Sequence, residues 1–409
     1  MKFTKIGALV AAAVIAVSAC SGSGGSTPPA DPLGVVTIPK GEPISIGFWG
    51  VISGADAALG VDVRNGVQVA IDDKGGKLLG RTIRLVEQDG LCTPEGGAIA
   101  AQKLAADKTL VGLIGSSCSD ETVGGIKTIT EAGLSTISAS NTRPKLTDPK
   151  RDATYAGYFR TAHSDAFQGK AVAEFVFNKL GLKTAGTLHD GSAYAEALQA
   201  VFAEEFSKLG GKVLIQEAVS KGQTDMKPAL GRVAAAKPDV LYFPIFTAEG
   251  GFVAAQAKDV TGLENTVLIG SDGLFSVDFV KAAGPAAAGM YLSSPNFSAF
   301  QAGYADFLTK HQAKFATAPI QAFHAHGYDA FNILYAAIEK VAITGSDGTT
   351  YIPRKALRDA IYATKDFKGL TGVLSCGQYG DCGAPIIAVY QITDRETGGQ
   401  WPPEKPVWP

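Results

Sequence analysis

From Pro43 onward, short apolar runs alternate with segments whose apolar residues recur at helical spacing, and this alternation restricts the fold more than any other feature. Ile44 to Trp49 reads as a strand. Val61, Val67, Ala70 and Ile71 mark one face of the helix after it, which Gly75-Gly76 closes. Arg84 to Gln88 is the next strand, and Thr93-Pro94 supplies a cap and a first-turn proline for a helix burying Ala98, Ala101, Leu104 and Ala105. Val111 to Ile114 and Ser135 to Ile137 follow as strands. A second series begins after Phe159-Arg160-Thr161. Ser164 caps a helix that Gly181 ends, and the strand Thr184 to Leu188 runs into His189-Asp190-Gly191. Tyr194, Leu198, Val201, Phe202, Phe206 and Leu209 then show the cleanest helical period in the chain. Strands at Val213 to Ile215, Val240 to Phe243 and Val267 to Ile269 continue the pattern. Repeated strand–helix units predict parallel sheets covered on both faces, and two such series predict an α/β protein of two lobes with a cleft between them. Helices are expected around Tyr304 to Phe315, His324 to Val341 and Arg354 to Ala363, then a hairpin-like end at Cys376 to Gln391.

Within the first series, Leu110 to Thr147 brings two strand ends together. They deliver Ser117, Ser119, Ser140 and Thr142 at corresponding exits, where open parallel sheets bind ligands. Ser119 is a good helix N-cap, with Asp120 and Glu121 in the first turn behind it. Free backbone N–H groups and the positive helix end there favour an anion such as a carboxylate.

The chain opens on an address. Lys2 and Lys5 precede an apolar run from Ile6 to Ala16, too short for a settled membrane span and typical of a signal peptide over residues 1–19. Val17-Ser18-Ala19-Cys20 follows and resembles the bacterial lipobox, in which the chain is cut before a cysteine that is then lipidated. The Gly-, Ser- and Pro-rich stretch that follows reads, over residues 20–42, as a flexible tether. An exported protein held on the outer face of a membrane by lipid on Cys20 is expected.

Hydrophobic residues make up 46% of the 409 and charged residues 19%, and the part after the tether suffices for two lobes of ordinary domain size. The formal charge is −2 and becomes −4 when Lys2 and Lys5 leave with the signal, so nothing points to a nucleic-acid partner. Without Cys20 four cysteines remain, Cys92, Cys118, Cys376 and Cys382. Four allow three disulfide pairings, among which spacing does not choose.

The segments SGADAALGVDVRNG, DKGGKLLG, LCTPEGGA, LIGSSCS, ISASNTRPKLT, FRTAHSDAFQG, HDGSAYAEAL, PDVLYF and IGSDGLF occur in this order. This co-linear series resembles the branched-chain amino acid (leucine/isoleucine/valine-type) binding proteins of ABC transporters, from Ile44 to about Tyr390. The resemblance implies the periplasmic binding protein type I fold, two doubly wound parallel-sheet lobes joined by three hinge crossovers that close on ligand like a trap. The crossovers fall near Arg160, Ser293 and Thr371, so the N-terminal lobe takes residues 43–160 and 294–371 and the C-terminal lobe residues 161–293 and 372–409. Ser119 falls where a hydroxyl and backbone N–H groups receive the ligand's α-carboxylate. Ser140 and Thr142 fall where a carbonyl and a hydroxyl receive the α-ammonium. Tyr194 matches the second lobe's tyrosine, Asp272 the acid that pairs with the ammonium, and Phe246 a cleft tyrosine whose hydroxyl it lacks. Leu59 replaces the usual aromatic of the first loop. The family also links the positions of Cys92 and Cys118, leaving Cys376 and Cys382 to close a small hairpin. A monomer working with permease and ATPase subunits, without cofactor or metal, is implied.

A zwitterion out of water needs donors at one end and acceptors with a counter-charge at the other. Asp56, also in the first loop, reads as a solvated carboxylate or a partner for a polar ligand tail, and Asp272 has the further reading of a turn residue before Gly273. Catalysis has little support. Cys118 has no base marked by spacing, GSSCS is not a nucleophile elbow, and His324 and His326 are two apart on an expected helix and point to different faces. An amino acid, branched-chain or otherwise aliphatic, is the expected ligand. Another small carboxylate or amide on the same scaffold is the alternative, and a ligand-sensing ectodomain a further one.

Overall fold

The computed structural model describes residues 28–409. The signal peptide and Cys20 lie outside the described residues. The first series contributes β1 (Val35–Ile38), β2 (Ile44–Gly50), β3 (Lys77–Leu78), β4 (Arg81–Asp89), β5 (Leu110–Gly115), β6 (Thr136–Ser138) and β7 (Tyr158–Arg160). The second contributes β8 (Thr184–His189), β9 (Lys212–Ala218), β10 (Val240–Tyr242), β11 (Val267–Gly270) and β12 (Tyr291–Pro295). Then come β13 (Ile343–Thr344), β14 (Thr350–Pro353), β15 (Phe367–Lys368), β16 (Val373–Leu374) and β17 (Ile387–Gln391).

Two six-stranded sheets result. The first runs β3-β4-β2-β5-β6-β7 and the second β17-β12-β11-β10-β8-β9, parallel except at β3 and β17. In each, the parallel strands adopt the doubly wound order second-first-third-fourth-fifth. The direction of winding reverses between β2 and β5 and between β8 and β10, and such switch points open a crevice at the strands' carboxyl ends. Every residue of β2 and of β5 is buried, as expected for central strands covered on both faces.

The C-terminal helices return to the first sheet. Helix His324–Val341 packs on helix Ala57–Asp73, and the approach depends on glycine, since a Cβ on Gly66 would lie 1.8 Å from the His324 carbonyl oxygen. The buried Asp329 carboxylate accepts from the Leu370 and Thr371 N–H groups at 2.8 and 2.9 Å and from the Thr371 hydroxyl at 2.6 Å. Arg160, fully buried, bonds Asp381 through Nε at 2.5 Å and the Arg143 carbonyl through a terminal nitrogen at 2.9 Å. These contacts anchor the chain where it passes between the sheets. Cys92 is bonded to Cys118 and Cys376 to Cys382.

Two expectations are corrected. Residues 28–42 are not all tether: β1 pairs antiparallel with β14, and the Asp31 carboxylate accepts from Lys355 N–H at 3.0 Å. Val35-Val36-Thr37-Ile38 is a β-branched apolar run, and the pairing buries Val36 and Ile38, an advantage that the Gly/Pro-rich composition around it hides. Nor is Cys376 to Gln391 one hairpin. Cys376–Cys382 closes a small hairpin turn, with Gly377 N–H donating to the Asp381 carbonyl at 2.7 Å, whereas Ile387–Gln391 joins β12 as the edge of the second sheet, where its apolar residues find a face to cover.

Candidate functional site

Strand β5 ends at Gly115, whose φ of +134° and closeness to Trp49, with a Cβ 2.0 Å from that carbonyl oxygen, require glycine. Cys118, not Ser119, is the N-cap of the helix that follows, and Ser119 is its first residue. Part of the expected anion site is already filled by the protein. The Glu121 carboxylate folds back to accept from Ser117, Cys118 and Cys92 N–H groups at 2.9, 3.0 and 3.0 Å, and burial pushes its pKa up to about 7. The N–H groups of Ser119 and Asp120 lie in the first turn, where no intrahelical partner exists.

Hydroxyls tie the two strand exits together. Ser138 Oγ donates to the Ser116 carbonyl and Ser140 Oγ to the Ser117 carbonyl, both at 2.7 Å. Asn141 Nδ2 donates to Ser116 Oγ at 3.1 Å and Thr122 Oγ1 at 2.5 Å. The Ser140 hydroxyl is therefore engaged in the loop.

A narrow cavity lies between these exits and the second sheet. Leu59, Ser119, Ser140, Tyr194, Phe246 and Asp272 line it, so six of the seven binding residues expected from sequence converge. Thr142 does not reach the wall. It is fully buried, beside Asp165. Ser117, Cys118, Gly273 and Phe323 complete the lining. About 10 Å³ admits the centre of a water molecule, room for about one water.

On the second-lobe side Tyr194, in a helix capped by Ser192, donates its hydroxyl to Asp272 Oδ1 at 2.6 Å and lies 2.6 Å from Ser271 Oγ. Burial, then the charge of Asp272, raises the tyrosine's pKa well above its ordinary value. Gln168 Nε2 donates to the same Asp272 oxygen at 2.7 Å and to Ser293 Oγ at 2.9 Å, while its own carbonyl oxygen meets His163 Nε2 at 2.6 Å. Gln321 Nε2 holds the Asp272 carbonyl at 2.8 Å. Phe246 packs on Tyr194 with ring centroids 5.0 Å apart. The first-lobe wall of the cavity thus offers helix N–H groups and a hydroxyl and the second-lobe wall a buried carboxylate, and Leu59, Phe246 and Phe323 supply its apolar surface.

Around the cavity the two lobes touch through charge. Asp56, read from sequence as a solvated carboxylate or a ligand-tail partner, is buried, and accepts from Ala248 N–H at 3.2 Å at the start of helix Thr247–Ala257. Asp120 accepts from Ala193 N–H at 3.0 and 3.1 Å. Lys221 Nζ donates to the Cys92 carbonyl at 2.7 Å. Burial pushes both aspartates above their ordinary pKa. None of these pairings had a signal in the sequence, because each partner is a backbone group of the other lobe, an N–H for the two aspartates and a carbonyl for Lys221.

A wider recess lies elsewhere, walled by residues such as Phe297, Tyr304 and Pro402. Its carboxylate, Glu404, is exposed and paired with Arg395 at 3.2 Å, unlike the buried Asp272 of the interlobe cavity.

Known proteins of the same build bear on this geometry. The Leu/Ile/Val-binding protein BraC3 of Rhizobium johnstonii is 28% identical over 353 residues, covering 85% of this chain and 91% of its own. The branched-chain amino acid transporter substrate-binding protein LivJ of Streptococcus pneumoniae, solved in complex with isoleucine, superposes with a TM-score of 0.76 at 25% identity and covers 90% of this chain and 100% of its own. An ABC transporter solute-binding protein of R. palustris in complex with benzoate shares the fold, with a TM-score of 0.76 at 23% identity, 90% of this chain and 97% of its own being covered. The family model described as periplasmic binding protein matches residues 43–392, and the chain belongs to that family.

Proposed function

We propose that this protein is an extracytoplasmic solute-binding lipoprotein of an ABC importer, anchored through Cys20, which captures an amino acid between its lobes and delivers it to the permease. The carrying observation is the opposition, across one interlobe cavity, of the Ser119 helix start and the Asp272 carboxylate. This matches the two ends of a zwitterion, and the apolar Leu59, Phe246 and Phe323 suit a branched-chain or other aliphatic side chain. The relatives named for leucine, isoleucine and valine support the same ligand class. In this reading the crossovers near Arg160, Ser293 and Thr371 are hinges. The cavity is too tight for an amino acid as it stands, so the lobes separate before ligand enters.

A thermal-shift screen of residues 28–409 against amino acids and small organic acids tests this, since ligand at 100 times its Kd adds about 2.7 kcal/mol to stability. Aliphatic L-amino acids are expected to raise the melting temperature. Stabilisation by acids lacking an amino group, and by no amino acid, would replace the proposal with a carboxylate binder on the same fold.

A further inference from the structure

Behind Asp272 lies a second carboxyl group. Asp165 is the first residue of helix Asp165–Glu174, capped by Ser164. One turn later on that helix, Gln168 donates to Asp272 Oδ1, which brings the two acids to one side of the helix start. Asp165 is fully buried and Asp272 is 3% exposed. Neither oxygen of Asp165 meets a hydrogen-bond partner of good geometry among the described residues, although the Thr142 hydroxyl lies beside it.

The charged and titratable groups around the pair do not neutralise it. Tyr194 and Tyr242 face it from the neighbouring helix and from β10, both fully buried phenols. His163 faces Asp272 from the preceding loop, and burial keeps its ring neutral, with His326 behind it adding no charge. Among the described residues the cation beside the pair is Arg160, and its donors are directed at Asp381, Asn141, Arg143 and Thr147. A buried carboxyl with neither a hydrogen-bond partner nor a bonded cation does not stay ionised beside another carboxylate. Burial first, then the charge of Asp272, lifts Asp165 far above the ordinary carboxyl range.

We propose that Asp165 and Asp272 form a paired carboxyl site that holds one proton between them without ligand, and that the cationic nitrogen of the ligand displaces this proton on binding. The inference rests on the amino-acid reading of the cavity and deepens it. Asp165, off the cavity wall, is a positioning residue that acts through Asp272. The ammonium supplies the positive charge that the proton supplied before, the proton leaves to solvent, and both carboxylates end ionised. Selection then falls on ligands with a cationic nitrogen, and acid competes with them.

Calorimetric titration of L-leucine and L-isoleucine into residues 28–409, in buffers of different ionisation enthalpy between pH 6 and 8, counts the protons released. The wild type is expected to release up to one proton per ligand and to lose up to tenfold in affinity per pH unit where release is complete. Asp165→Asn is expected to bind with release abolished and a flat pH profile, a change that loosened packing alone does not produce. Tight binding by the wild type without proton release, or release undiminished in Asp165→Asn, overturns the pair while leaving the amino-acid site intact. Failure of both amino acids to bind the wild type overturns the amino-acid reading and the pair with it. Should Asp165→Asn not fold, the wild-type proton count decides alone.

Discussion

The Asp120 carboxylate lies 3.0 and 3.1 Å from the backbone nitrogen of Ala193, so an acid from the helix start beside the cavity caps a helix of the opposite lobe. Asp56 does the same at Ala248. A carboxylate at a helix N-terminus contributes about 0.5–2 kcal/mol, here only when the lobes are together. Asp120→Ala and Asp56→Ala should each raise the leucine Kd roughly twofold to thirtyfold and shift small-angle scattering toward a more open shape. Unchanged affinity and scattering in the double mutant would remove both contacts from the closing equilibrium.

Asp272 should dominate affinity. Removing one member of a buried charge pair costs about 3–5 kcal/mol, and Asp272→Ala also strands Gln168 and Tyr194. A loss of about a hundredfold to a few thousandfold in amino-acid affinity is expected. Thr142→Ala, which changes a residue off the cavity wall, should stay within about threefold. Titration calorimetry of the two mutants checks this order, and its reversal would move the ammonium away from Asp272.

The disulfides should differ in worth. Cys92 and Cys118 are 26 residues apart and Cys376 and Cys382 are 6 apart. In the chain-entropy account these loops correspond to about 3.5 and about 2 kcal/mol. Urea unfolding of the two double-alanine variants measures both. Because Cys118 lines the cavity and Ser119 follows it, the first variant should also bind leucine more weakly.

Stability should fall as pH rises from about 4 to 8. Burial raises Glu121 to about 7 and Asp329 to about 6 in the folded protein, from ordinary values of 4.5 and 3.8. A raised folded pKa means that the folded state binds protons more tightly. The contribution is complete below the unfolded pKa and is lost as pH passes the folded one, on the order of a few kcal/mol for each group. Glu121→Gln and Asp329→Asn should each flatten the pH dependence of the melting temperature, and slopes identical to wild type would contradict the assignment.

Lipid attachment at Cys20 is tested apart from ligand binding. Cys20→Ser should abolish metabolic lipid labelling of the full chain, and binding by residues 28–409 does not depend on it. Labelling that survives the substitution would relocate the anchor.

The alternation of apolar strands and amphipathic helices was enough to predict parallel sheets covered on both faces in two lobes, because strand and helix periods are local properties of the chain; the doubly wound strand order came from the family resemblance. Strand ends fell within three residues of Ile44–Gly50, Arg81–Asp89 and Leu110–Gly115. The resemblance of ordered motifs then brought Leu59, Ser119, Ser140, Tyr194, Phe246 and Asp272 to one cavity. What the sequence did not disclose depends on distance across the fold. Val35–Ile38 looked like tether until β14, more than 300 residues later in the chain, offered it an edge. Asp165 looked like an ordinary acid in a first helical turn, a solvated and favourable place. Only the packing of that helix against the Tyr194 helix, β12 and β17, with Gln168 bonded to Asp272, buries its charge. The sequence determines which groups stand at each strand end, and the tertiary structure decides which of them lose water, because desolvation depends on what distant parts of the chain bring against them.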